Sequence, residues 1–166
     1  MKELIEVFQK QHLTIGSCES LTAGLFASSI AEVPGASAVL KGGIITYWTQ
    51  CKIDVVHVDA RLIEAYGVVS EECAKAMAVQ ARKLLDVDVC VSFTGNAGPD
   101  TMDGKPAGLV YAAIDGIYGT QGYEFFLQGD RNRVRQDVVQ AMKKQVINYI
   151  EMKGVKENGK RKETDG

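Results

Sequence analysis

The chain has 166 residues, of which 46% are hydrophobic and 24% charged, and its formal net charge is −2. This ordinary globular composition excludes a disordered chain or a coiled coil, and the near balance of charge gives no electrostatic reason to bind nucleic acid or an anionic membrane. No apolar run approaches the ~18 residues of a membrane span, and the N-terminal segment lacks the apolar core of a signal peptide. We therefore expect a cytoplasmic protein with one domain over residues 1–153 and a flexible polar tail over 154–166.

Apolar periodicity and turn residues predict alternating helices and strands. In chain order we expect a helix over 2–11, a strand over 13–15 that runs into a small-residue turn at 16–20, a helix over 21–31, β structure over 39–48, short helices over 50–66, a helix over 70–85, a strand over 87–93, two strands over 108–114 and 122–127, and a helix over 130–152. Strands separated by helices predict an α/β layered sheet with an antiparallel element after residue 108.

The residues that commonly hold metals and cofactors are poorly spaced for either task. The cysteines never form a C-x-x-C pair, and the two histidines cannot complete a local zinc site. No G-x-G-x-x-G motif follows a strand, and residues 98–105 have the wrong spacing for a phosphate-binding P-loop. We therefore expect no metal and no cofactor.

Three polar clusters follow predicted strands, where α/β sheets place their chemistry. The first is E-S-x-T-x-G at residues 19–24, in which Ser20 precedes a predicted helix. The free N–H groups of a helix start can stabilise an oxyanion or a phosphate. The alternative is that Ser20 or Thr22 simply caps the helix.

The second cluster is G-G-x-x-x-Y-x-x-x-x-K at residues 42–52. Tyr47 and Lys52 are candidate proton carriers for a serine, because a buried lysine loses its proton readily and can act as a general base. The alternative is a tyrosine at a strand end and a solvated lysine.

The third cluster is T-G-x-A-G-P at residues 94–99. Its small residues allow backbone N–H groups to approach a ligand closely. The alternative is a plain turn.

These clusters and a K-P-x-G motif at residues 105–108, in this order, resemble the CinA C-terminal domain family over nearly the whole folded part. That family includes stand-alone amidohydrolases that deamidate nicotinamide mononucleotide. The resemblance implies a three-layer α/β/α sandwich with a mixed, mostly parallel sheet. It also implies hydrolysis of a carboxamide to a carboxylate and ammonia without a metal.

By position in the motifs, the resemblance implies that Ser20 is the nucleophile and that Lys52 and Tyr47 handle protons. It implies a set of substrate-binding residues, with the two arginines placed to meet the nucleotide phosphate: Thr22, Gly43, Thr94, Gly95, Asn96, Ala97, Gly98, Arg131 and Arg135. It also implies a small-molecule nucleotide as partner and a homo-oligomer. The competing hypothesis is a catalytically silent nucleotide-binding or protein-interaction module of the same fold.

Overall fold

The computed structural model describes the backbone of residues 1–161 and the side chains of residues 1–152. Its helices and strands follow in this order: α1 (Lys2–Lys10), β1 (Ile15–Glu19), α2 (Leu25–Ala31), a 3₁₀ turn (Ala36–Ala38), β2 (Leu40–Ile45), α3 (Thr49–Asp54), α4 (Ala60–Tyr66), α5 (Glu71–Leu85), β3 (Val89–Gly95), β4 (Leu109–Gly116), β5 (Gly119–Phe126) and α6 (Arg131–Arg161). None of the helices described here is long and apolar enough to cross a membrane.

The five strands form one mixed sheet in the order β2-β1-β3-β4-β5. The first three are parallel, and β4 is antiparallel to both of its neighbours. Four of the five strands therefore point in the same direction. This confirms the predicted mixed, mostly parallel sheet and its antiparallel element after residue 108.

Helices cover both faces of the sheet and complete the three layers. Phe8 of α1, Phe26 of α2 and Met142 of α6 pack against one face. The other face packs against α5, with Met77 of α5 in the same core cluster as Cys90 of β3, and α4 packs against α5. Because β3 is buried on both faces, it is apolar along most of its length.

The segment after β1 differs from the prediction. The predicted small-residue turn belongs to the strand itself, which runs to Glu19, and α2 begins at Leu25 rather than at residue 21. Ala23 and Gly24 have φ angles of 48° and 94°. These left-handed conformations cannot belong to a right-handed helix, so residues 20–24 form a separate turn.

Other element boundaries differ by a few residues. The strand β3 continues through Thr94 and Gly95, which pair with Tyr111 and Val110 of β4. A side chain at Gly95 would place its Cβ 2.6 Å from the Leu109 carbonyl oxygen, so this close approach of the backbones requires glycine. The helix α6 extends through the first part of the predicted tail, whose residues 162–166 lie outside the described residues.

Gly43, which the sequence assigned to substrate binding, is explained in the structure by packing. It lies in β2, and a Cβ there would be 2.7 Å from Ser17 Oγ and 3.2 Å from Ala27 Cβ. At Gly42, one residue earlier, the nearest atom to an added Cβ is Leu85 Cδ2 at 3.5 Å, an ordinary contact.

We predict that Gly43→Ala lowers the free energy of unfolding by about 1–3 kcal/mol, because the added methyl group overpacks the contact with Ser17 and Ala27. Gly42→Ala is the matched control, and its effect should be much smaller. Denaturant unfolding of both variants measures the difference. Equal stabilities would contradict the packing role assigned to Gly43.

Candidate active site

Ser20 lies at the carboxyl edge of the sheet, directly after the last residue of β1. Its N–H donates to the carbonyl of Phe93 in β3 at 3.0 Å, and the carbonyl of Glu19 accepts from Thr46, after β2, at 2.9 Å. The carboxyl ends of three adjacent parallel strands therefore meet around Ser20. This arrangement brings the three polar clusters of the sequence together.

Lys52 of α3 contacts the serine directly. Its Nζ donates to Ser20 Oγ at 3.0 Å and to the carbonyl oxygen of Thr46 at 2.7 Å. The whole lysine side chain is buried, and this burial lowers the pKa of Lys52 below the ordinary value of 10.5. A neutral amine at this position can accept the hydroxyl proton of Ser20.

The carboxylate of Glu19 fixes the turn that carries Ser20. Its Oε1 accepts from Ser17 Oγ at 2.8 Å and from the N–H of Ala27 at 3.0 Å, and its Oε2 accepts from the N–H groups of Gly24 and Phe26 at 3.0 and 3.1 Å. Four donors therefore hold the two carboxylate oxygens, three of them backbone N–H groups around the start of α2.

This contact corrects one expectation about the oxyanion. The N–H groups at the start of α2 serve the Glu19 carboxylate, so they are not free to hold a developing charge on a substrate. Leu21, directly after Ser20, and Ala97 both line the cleft beside the serine, and neither N–H is among those that Glu19 binds.

A cleft of about 780 Å³ opens over Ser20. This volume suits a small-molecule ligand. The lining residues come from the turn after β1, the β2–α3 connection, the end of β3 with the loop that follows it, and the start of α6: Ser20, Leu21, Tyr47, Trp48, Thr49, Gln50, Gly95, Asn96, Ala97, Asp100, Thr101, Met102 and Arg131.

Tyr47 and Arg131 meet at this cleft. One guanidinium nitrogen of Arg131 donates to Tyr47 Oη, and the other donates to the carbonyl oxygen of Gly98 at 2.8 Å. Because an arginine has five N–H donors, these two bonds leave others for a ligand. Tyr47 is half exposed and lines the same cleft as Ser20.

The loop after β3 is held by Asn96, one of the predicted substrate-binding residues, and by Asp103 and Lys105, which were assigned no role from the sequence. Asn96 donates to the carbonyls of Met102 and Lys105 and accepts from the Met102 N–H. Asp103 accepts from the N–H of Val69 at 2.7 Å, and Lys105 Nζ donates to the carbonyl of the same residue. The loop wall of the cleft is therefore fixed to the segment before α5.

Two other predicted substrate residues lie outside the cleft lining. Thr94 Oγ1 donates to the carbonyl of Val68 at 2.6 Å, which ties β3 to the segment before α5. Thr22 is fully buried, and its Oγ1 has no hydrogen-bond partner within the described residues. Thr94 is thus explained as a structural contact, and a substrate role for Thr22 stays a prediction.

Arg135 contacts the turn rather than the cleft. Its Nε donates to the carbonyl of Leu21 at 2.9 Å, and a terminal nitrogen donates to that of Thr22 at 3.1 Å. A third donor reaches Asn132 at 3.2 Å. Arg135 is therefore placed to hold the turn beside Ser20, and its contact with a phosphate stays a prediction.

Sequence reasoning missed the role of Glu19, which ends β1 and lies six residues before the first residue of α2. It also missed Trp48, Asp100 and Met102 as cleft residues, because their positions depend on how the loops fold back. Across residues 1–152, no three histidine, cysteine or carboxylate side chains are grouped to hold a metal ion.

The fold and the site together define a three-layer α/β protein with a serine–lysine pair at the carboxyl edge of its parallel strands. The sequence model of the CinA C-terminal domain family matches residues 1–150, and the chain belongs to this family.

Relatives and solved structures agree with this assignment. A competence-damage inducible protein of Listeria welshimeri is 40% identical over 144 residues, which are 86% of this chain and 34% of the relative. The chain thus spans about a third of the length of the curated relatives it matches. The competence/damage inducible protein CihA of Agrobacterium tumefaciens is 30% identical with a TM-score of 0.84, covering 89% of this chain and 91% of that one. A competence or damage-inducible protein from Enterobacter asburiae shares the fold with a TM-score of 0.87 at 22% identity, covering 90% and 94% of the two chains.

We predict that Glu19→Gln lowers the free energy of unfolding by about 2–3 kcal/mol. A glutamine presents an NH₂ group to backbone N–H donors in either orientation, and a buried donor without an acceptor is costly. Thermal and denaturant unfolding measure the loss.

Glu64→Gln, at an exposed position of α4, is the matched control, because it makes the same chemical change in water. A Glu19→Gln protein as stable as this control would show that the carboxylate does not hold the turn.

Proposed function

We propose that this chain is an amidohydrolase that converts nicotinamide mononucleotide and water to nicotinate mononucleotide and ammonia. The observation that carries the proposal is the 3.0 Å hydrogen bond between Lys52 Nζ and Ser20 Oγ at the floor of the cleft. A serine beside a desolvated amine is an activated nucleophile. The carboxamide as substrate follows from the family resemblance.

In the first half of the reaction, Ser20 Oγ attacks the carboxamide carbon, and Lys52 Nζ takes the hydroxyl proton. The C–O bond forms as the carbonyl π pair moves to oxygen, which gives a tetrahedral oxyanion. Backbone N–H groups beside the cleft, with Leu21 and Ala97 as candidates, would stabilise this charge. Removing one such donor commonly costs ~3–4 kcal/mol of the barrier.

In the second half, the oxyanion reforms the carbonyl and the C–N bond breaks. Lys52 releases the proton that it took from Ser20, and Tyr47 relays this proton to the departing nitrogen, so that ammonia leaves, Lys52 is neutral again and an ester remains on Ser20. Water then attacks the ester carbon and gives its proton back through Lys52. The products are the carboxylate and free Ser20.

The phosphate of the mononucleotide would bind to Arg131. This guanidinium lines the cleft and keeps donors beyond those used for Gly98 and Tyr47. Arg133, two residues along α6, pairs instead with Asp137 on the exposed surface at 2.8 Å.

We predict that Ser20→Ala abolishes ammonia release from nicotinamide mononucleotide, because it removes the nucleophile. We also predict that Lys52→Arg lowers kcat by roughly 10²- to 10⁴-fold, because it removes the general base. Arginine keeps the charge but cannot give up its proton near neutral pH. An ammonia-release assay on the purified variants measures both effects, with thermal unfolding as the check on folding. Turnover by Ser20→Ala at the parent rate would rule out the covalent serine mechanism, and binding without turnover by the parent would favour the silent module.

The pH dependence tests the same lysine separately. The unfolded chain protonates residue 52 up to its ordinary pKa of 10.5, whereas burial lowers the pKa in the folded state. Between these two values the unfolded state binds more protons, so the free energy of unfolding should rise with pH in that window. Lys52→Met should lose this rise. The parent kcat/KM should fall as pH drops through the lowered pKa, because the ammonium form cannot accept a proton.

We predict that Arg131→Ala raises KM for nicotinamide mononucleotide about ten- to hundredfold, since a charge-assisted contact to phosphate is lost. KM for nicotinamide riboside, which has no phosphate, should change little. Steady-state kinetics with both substrates measures the difference.

Arg133→Ala is the matched control and should leave both KM values unchanged. Arg135→Ala should lower kcat more than it raises KM, because its donors hold the turn beside Ser20. Equal, small effects from all three substitutions would mean that the phosphate is bound elsewhere.

A further inference from the structure

The connection between β2 and α3 carries a tryptophan that the fold itself does not use. Trp48 is 74% exposed. It is the N-cap residue of α3, yet its side chain makes no hydrogen bond to the helix. A serine, threonine or aspartate at that position would stabilise the helix start. The indole provides neither a cap nor core packing, so its largely exposed surface is available for a contact from outside the chain.

Trp48 lies in an exposed apolar group at the cleft. Tyr47 is 48% exposed and Met102 is 44% exposed, and all three line the same cleft as Ser20. We call these three residues the mouth cluster. Exposed apolar side chains gathered at one concave site mark a ligand or partner surface, whereas scattered ones need no explanation.

We propose that Trp48 stacks on the ring of the substrate and selects an N-substituted pyridinium, a flat aromatic cation. The inference rests on the proposed function for the reacting group. The carboxamide carbon is bonded directly to the ring, so an attack by Ser20 Oγ from about 3–3.5 Å places the ring within the cleft. Tryptophan offers a cation the strongest aromatic face among the side chains.

The charges that line the cleft suit the same ligand. Asp100 supplies a carboxylate, and Arg131 supplies a cation. A nucleotide of this class has a positive ring at one end and a phosphate at the other, with sugar hydroxyls between them. Arg131 repels the ring and attracts the phosphate. Trp48 and Asp100 can therefore receive the ring while Arg131 receives the phosphate.

The sequence makes the test direct, because Trp48 is the only tryptophan in the chain. Its fluorescence, excited where tyrosine does not absorb, reports on this residue alone. The probe is nicotinamide mononucleotide added to the Ser20→Ala protein, which holds substrate without turnover. We expect saturable quenching, whereas ribose 5-phosphate, which lacks the ring, should cause none. Quenching that only increases linearly with concentration would be collisional and would overturn the proposal.

Kinetics on the otherwise unchanged chain gives the second measurement. Trp48→Ser should raise KM for nicotinamide mononucleotide roughly three- to thirtyfold, with kcat within a few fold of the parent. The KM of Trp48→Phe should fall between those of the parent and Trp48→Ser. Serine can cap α3, so the variant is expected to fold. Phe126→Ser is the matched control, since Phe126 is an exposed aromatic residue outside the cleft lining, and its KM should equal that of the parent.

The outcomes separate this inference from the proposed function. Ammonia release by the parent without saturable quenching, or with an unchanged KM in Trp48→Ser, would overturn the stacking role and leave the function standing. Saturable quenching without ammonia release would support the ring site and overturn the amidohydrolase. If Trp48→Ser keeps the parent KM but sediments as a smaller species, the mouth cluster is an interface between copies of the chain, which also overturns the proposal.

Discussion

The arrangement of the site depends on a single buried carboxylate. Glu19 ends β1, and its two oxygens accept four hydrogen bonds, three of them from the backbone around the start of α2. The next residue is Ser20, so the residue whose carboxylate fixes the turn is the direct neighbour of the serine in the chain.

Glu19 and Lys52 are both buried close to Ser20, but they have different kinds of hydrogen-bond partners. Both carboxylate oxygens of Glu19 accept hydrogen bonds. Lys52 has a carbonyl and a hydroxyl as its acceptors and belongs to none of the ion pairs among the described side chains. Its burial therefore favours the neutral form. The two buried polar side chains thus differ in their partners, since hydrogen-bond donors surround Glu19 and acceptors surround Lys52.

The sequence predicted the strand ends that meet at the site, because buried strands and the small residues after them are local patterns. It could not predict that the N–H groups of α2 are taken by Glu19, since this depends on the left-handed conformations of Ala23 and Gly24. Gly43 and Thr94 belong to recognisable motifs, yet Gly43 lies against Ser17 and Ala27, and the Thr94 hydroxyl bonds to the carbonyl of Val68 before α5. Motif membership identified the right region, and only the tertiary contacts separated the residues that line the cleft from those that lie outside it.

The helix α6 makes the most distant contacts of the site. Arg135 reaches Leu21 across 114 positions of the chain, and Arg131 reaches Tyr47 across 84, whereas Lys52 and Ser20 are separated by 32. Contacts between distant positions close large loops and form slowly in folding. During synthesis, the serine–lysine pair emerges from the ribosome long before the two arginines that brace the turn and the cleft. The cleft is therefore completed only when the last helix docks, which couples the appearance of a working site to the folding of the whole domain.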